Sequence, residues 1–142
     1  MDIKRKVTYL KRKYGTSNPF DIASAMGTLI FFEDLGTVNG YYNKPFRIKQ
    51  IHINQNLPRH MQTFTCAHEL GHSILHPNAN TPFLRSNTFL LVDKMEIESN
   101  KFASELLIGD ELLEEYRDLT VEQLSRMLGY HKKLIELRLN NN

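Results

Sequence analysis

Only one of the 142 residues is a cysteine, Cys66, so the chain forms no internal disulfide and nothing in it points to an oxidising compartment. It has no apolar run of the length that a membrane-crossing helix needs. The basic residues near its start are not followed by the apolar block of a secretion signal. A cytoplasmic location without membrane contact is therefore expected. Repeats and low-complexity tracts are missing too, and the formal net charge of +2 selects no class of partner by itself. What remains is the balance of a globular protein, 41% apolar and 24% charged, at a length that fits one domain over residues 1–142.

The charge is unevenly spread. Lys4, Arg5, Lys6, Lys11, Arg12 and Lys13 crowd the first predicted helix, while Asp93 to Glu122 holds ten acids against three bases. A basic helix can meet nucleic acid or an acidic partner, but such a run is more often the solvated face of an amphipathic helix.

Ile3, Val7, Leu10 and Tyr14 recur at helical spacing and stop at Gly15. Asn18-Pro19 reads as a cap and first-turn proline opening a second helix through Met26, with Gly27 closing it. The apolar run Thr28 to Phe32 and the segment Ile48 to Ile53 read as strands of a small antiparallel sheet, with turns at Gly36, Asn39 and Gly40 between them. A helix opened by Leu57-Pro58 runs to His76, where Pro77 stops it. A loop of about fifteen residues containing Pro82 follows, long enough to suspect a functional segment. Further helices span about 93–108 and a helical hairpin about 110–139, with Thr120 and Gln123 forming a capping box and Gly129 separating its arms. The fold class is α+β and mainly helical.

The segment His68-Glu69-Leu70-Gly71-His72 carries the chemistry. On a helix, residues advance by about 100° each. Counted from Phe64, the apolar arc of Ala67, Gly71, Ile74 and Leu75 lies within roughly 80° on either side. His68 then falls near ~40° and His72 near ~80°, with Glu69 further round at ~140°. Both imidazoles can reach one ion beside the core, Glu69 overlooks its open side, and Gly71 permits a close neighbour. Two neutral imidazoles and a carboxylate hold Zn²⁺ in three positions and leave the fourth to water. The cation lowers the pKa of that water, and Glu69 is positioned as the acid/base that takes its proton.

A third ligand is expected from a separate helix. Glu96 lies in the arc shared with Ala103, Leu106 and Leu107, whereas Glu98 falls beside Lys101 and Glu105 on the charged side. Glu96 is the better candidate, and Glu98 remains the alternative. Asn100, one turn beyond Glu96, can hydrogen-bond a ligand. His76 reads as a helix-terminal residue meeting the last carbonyls, and Cys66 as structural. His52 and Asn54 either line a substrate groove or form plain strand surface.

With these residues in view, the chain resembles the ImmA/IrrE family of metallopeptidases over most of its length. The likeness rests on Ile51-His-Ile-Asn54, the helix from Phe64 to His72, Leu75-His76, and Glu96-Ile-Glu-Ser-Asn-Lys-Phe-Ala-Ser-Glu-Leu-Leu-Ile108. Ser99 in place of Ala, and Ile108-Gly109 in place of Met-Pro, depart from the family pattern. The resemblance implies a zincin-like, gluzincin-type fold. It places zinc ligands at His68, His72 and Glu96 and the catalytic acid/base at Glu69. It also implies a role tied to phages and mobile elements, the cleavage of a helix-turn-helix repressor that relieves transcriptional repression. Two other functions compete: a non-proteolytic anti-repressor that binds its partner, and a direct DNA-binding regulator built on Thr120 to Tyr130. The acidic approach to that segment and its lack of a dense basic face weigh against DNA.

Overall fold

The first two helices each start at a side chain that satisfies free amides. In the computed structural model, which describes residues 2–79 and 89–140, the Asp2 carboxylate accepts from the Arg5 amide and opens α1 (Ile3–Tyr14). Asn18 accepts from the Phe20 and Asp21 amides and opens α2 (Pro19–Ala25). Helix α1 ends at Gly15, whose φ of 69° is the left-handed conformation that glycine adopts without strain.

Three strands follow, β1 (Leu29–Glu33), β2 (Gly40–Asn43) and β3 (Gln50–Asn54), in the spatial order β1-β3-β2. The sheet is mixed. The two strands expected to pair antiparallel, β1 and β3, run parallel, Leu29 opposite Gln50 through Glu33 opposite Asn54, and the antiparallel pairing is between β3 and β2. An apolar run carries no sign of strand direction, and residues 34–49 reverse the chain twice, once on each side of β2. Ile51 and Ile53 of β3 point into the core with Tyr42 of β2. His52 takes the opposite face by the alternation of a strand, stacked between Tyr41 and Phe31 at ring separations of 4.2 and 5.3 Å.

Helix α3 (Arg59–Leu75) lies between this sheet and α4 (Phe89–Leu107). Residues Thr65 to Ser73 are all buried. The single apolar arc expected from the sequence is too narrow, because Glu69, on the supposed open side, and Cys66, outside that arc, are also covered. Burial pushes the Cys66 thiol well above its ordinary pKa, with Glu69 adding to the effect, so it is an inert core residue. Ser99 and Ile108, the two places where the sequence departs from the family pattern, are fully buried on or just beyond α4. The long loop expected around Pro82 falls mostly outside the described residues.

The C-terminal part comprises α5 (Asp110–Glu115), α6 (Val121–Leu128) and α7 (Lys132–Asn140). Thr120 and Gln123 form the expected capping box, and Gly129, at φ 82°, separates α6 from α7. Leu124, Leu134, Ile135 and Ile108 make a second apolar cluster that seats this hairpin on the end of α4. Arg138 is the polar lock. Its side chain is 1% exposed, and its Nε donates to the Ile108 carbonyl at 2.6 Å. Nε also lies 3.6 Å from Glu105, and another guanidinium nitrogen bonds Asp110. That hydrogen bond holds the Asp110 carboxyl below its usual range, while burial pushes the Glu105 carboxyl up. Glu105, placed on a charged outer side by the sequence, is thus an interior ion-pair partner. Arg138→Ala should cost about 3–5 kcal/mol in denaturant unfolding, the penalty of leaving a buried charge without its partner. A loss below about 1 kcal/mol would contradict this role.

Candidate metal centre

Residues four apart on a helix share a face, and α3 presents His68 and His72 together with their rings nearly perpendicular, at 87° and 4.8 Å between centroids. Helix α4 supplies the carboxylate. Glu96 sits between the two imidazoles, Oε2 at 3.0 Å from His68 Nε2 and Oε1 at 2.9 Å from His72 Nε2. The helices come this close because Gly71 has no side chain. A Cβ there would stand 3.1–3.2 Å from Phe102 of α4, tighter than ordinary packing.

Of the two acids offered by the sequence, Glu96 reaches the histidines and Glu98 does not. Glu98 instead meets His76, Nε2 to Oε1 at 3.2 Å. His76 departs from expectation as well. Its backbone amide bonds the His72 carbonyl, but its side chain turns inward and places Nδ1 3.1 Å from His72 Nδ1. Asn100 does what its helical position suggested, its Oδ1 lying 2.8 Å from His68 Nδ1. Glu69 is 1% exposed, and one ligand atom from each of His68, Glu69 and His72 falls within a 4.8 Å span.

These charges adjust to one another. Burial raises the Glu96 carboxyl, but its close contacts with the His68 and His72 rings outweigh it and hold it far below the ordinary range. Burial lowers the His68 imidazole, yet Glu96, Glu69 and Asn100 together leave it above its ordinary value. For His72 burial wins, bringing it down to about 4, so it is neutral near pH 7.

The donor set fits a metal ion. Bonds of about 2.0–2.2 Å in tetrahedral geometry put neighbouring ligand atoms roughly 3.3 Å apart, within a few tenths of an ångström of the two gaps seen here. Proton counting agrees. A neutral imidazole carries one N–H. If His68 donates from Nδ1 to the Asn100 carbonyl oxygen, its Nε2 turns a lone pair toward the Glu96 carboxylate. In that tautomer the ring nitrogen and the carboxylate repel across the gap, which a metal cation or a second ring proton relieves.

A cavity of about 400 Å³ opens beside this cluster, lined by Thr37 to Gly40, Phe64, Thr65, His68, Glu69, Glu96 and Asn100. Its sheet side is the start of β2, which among the described residues has a neighbour on one side only. Gly40 is required there, since a Cβ would meet Thr65 Cγ2 at 2.5 Å and the His52 carbonyl at 2.6 Å. His52 does not line the cavity: it is on the central strand's far face, bonded to Glu33. Asn54 acts from behind. Its Nδ2 donates to the Gly36 and Val38 carbonyls at 2.9 and 3.0 Å, and its amide donates to Asn39, fastening the segment that forms the cavity rim. An asparagine at a strand end, facing a glycine-containing turn, was the available clue.

A buried His-Glu-x-x-His helix joined through a carboxylate to the next helix, beside an open cleft, defines the metallopeptidase class. Residues 23–140 match the family model described as the IrrE N-terminal-like domain, a peptidase family, and the chain belongs to that family. It is 40% identical over 140 residues to Metallopeptidase ImmA of Bacillus subtilis (strain 168), spanning 97% of this chain and 78% of the relative. It is 41% identical over 139 residues to the Uncharacterized immunity region protein 2 of Bacillus phage phi105, spanning 96% and 88%. No helix among the described residues is long and apolar enough to cross a membrane.

Replacing Asn54 by Ala should free the rim. We expect a stability loss of about 1–3 kcal/mol and faster hydrogen exchange at the Val38 and Asn54 amides. Unchanged exchange there would contradict the assignment.

Proposed function

We propose that this chain is a zinc-dependent endopeptidase whose ligands are His68, His72 and Glu96 and whose catalytic acid/base is Glu69. The observation that carries this reading is the Glu96 carboxylate lying 2.9–3.0 Å from both Nε2 atoms, with Glu69 one residue from His68 on the same helix. Bound there, zinc supplies a Lewis acid that polarises a peptide carbonyl and makes water nucleophilic at neutral pH. The chain's own residues do the rest. Glu69, at the inner wall of the cleft, takes the proton of the attacking water and delivers it to the leaving amine nitrogen. Asn100 orients the His68 ring through Nδ1. The edge of β2, unpaired among the described residues, suits an extended substrate, whose backbone can add to the sheet across the cleft mouth.

We propose as substrate a helix-turn-helix transcriptional repressor, cleaved in the cytoplasm to relieve repression. The support is the resemblance to the ImmA/IrrE family and the likeness to a protein named for a phage immunity region. Direct DNA binding through the C-terminal helices fits less well. Arg138, a base that such a helix would present outward, is buried against Ile108 and Glu105.

The test is to incubate the protein with the repressor encoded beside its gene. Cleavage should occur, stop when a chelator is added, and return with Zn²⁺. Glu69→Gln should lower turnover by about 10²–10⁴-fold while zinc stays bound. A repressor released from its DNA but left intact would instead favour an anti-repressor that works by binding alone. Undiminished cleavage by the Glu69 variant would contradict the proposed acid/base.

A further inference from the structure

Behind His72, two carboxylate oxygens and two imidazoles form an unbroken row: Glu96 Oε1, His72, His76 and Glu98 Oε1. Its gaps are 2.9 Å between Glu96 and His72 Nε2, 3.1 Å between the two Nδ1 atoms, and 3.2 Å between His76 Nε2 and Glu98. The row is shielded, with the side chains of His72 and His76 1% and 7% exposed and that of Glu98 21%.

Each gap brings together two atoms that repel unless a positive centre lies between them. Two neutral imidazoles supply two protons for three gaps. A carboxylate accepts only, so the Glu98 end draws the His76 proton onto Nε2. His76 Nδ1 is then a lone pair and accepts from His72 Nδ1–H. That leaves His72 Nε2 bare toward Glu96, the one gap where a metal ion replaces a proton. With the protons shifted the other way, His72 carries N–H at Nε2 and cannot act as a ligand.

We infer that Glu98 and His76 are positioning residues that fix His72 in its metal-binding tautomer by this proton row, so that Glu98 acts on the metal from two residues away. The inference rests on the proposed ligand set and adds two residues to it. An outer partner of this kind sets both the orientation and the basicity of a ligand histidine.

The experiment measures Zn²⁺ affinity by competition with a chromophoric chelator, together with ¹⁵N–¹H NMR of the histidine rings in the zinc-loaded protein. Glu98→Gln offers an amide N–H toward His76 and so favours the reversed row; His76→Phe keeps the ring volume and removes the row. Each should weaken Zn²⁺ binding by about 10- to 100-fold. The double variant should be no weaker than His76→Phe, because both changes break one path. In the unaltered protein His72 should carry its proton on Nδ1. Unfolding midpoints in chelator verify that the variants fold; Glu98, at the edge of the cluster, carries the test if the Phe variant does not. Zinc affinities within twofold of the parent, additive losses, or a proton on His72 Nε2 would overturn the row. If the parent chain itself fails to bind Zn²⁺, the proposed function falls, and this inference with it.

Discussion

Helices α3 and α4 meet where Gly71 leaves a gap and Phe102 occupies it. Much else follows from that contact. It brings the backbone of α4 close enough for a glutamate side chain to span the remaining distance to two histidines on α3. A larger residue at position 71 would push the helices apart. The carboxylate of Glu96 would then no longer reach both Nε2 atoms at once. The same approach buries Thr65 to Ser73 of α3 on every side, between the sheet and α4, so the His-Glu-x-x-His segment sits on an enclosed stretch of helix.

Enclosure has a cost, because histidines and acids taken from water need partners. The structure answers with reciprocal pairing. Glu96 serves His68 and His72, Asn100 serves His68, and His76 with Glu98 serves His72. The His68 and His72 rings are thus each held at Nδ1 as well as at Nε2. A centre pre-arranged in this way loses little entropy on taking up an ion. The rim of the cleft follows the same logic. Asn54, 3% exposed, ties the carbonyls of a turn that would otherwise be free to shift at the place where an extended substrate would lie.

Much of this was legible in the amino-acid sequence. The spacing of His68 and His72 demands a helix, and Glu96 could be preferred over Glu98 because it lies on the apolar arc of its own helix. Caps at Asn18 and Thr120 and the stops at Gly15 and Gly129 are local signals, written in single side chains, and they hold. What was not legible depends on tertiary contact. A helical wheel reports one face, so it could not foresee that α3 is covered all round from Thr65 to Ser73. Strand direction is invisible to apolar patterning, which hid the parallel pairing of β1 with β3. Arg138, Glu98 and Glu105 look like surface charges until their partners from other segments are in place. His76 follows the row of His68 and His72, but only the turn at the end of α3 shows that its ring faces inward.

The central claim is that one carboxylate, from Glu96, joins two imidazoles from α3 around a single ion. Anomalous diffraction at the zinc absorption edge, on crystals of the zinc-loaded protein, tests it most directly. One strong peak is expected about 2.0–2.2 Å from His68 Nε2, His72 Nε2 and a Glu96 oxygen, with Glu69 outside bonding distance. A peak ligated by Glu69 or Glu98 in place of Glu96, or no ordered peak between the two histidines, would contradict it.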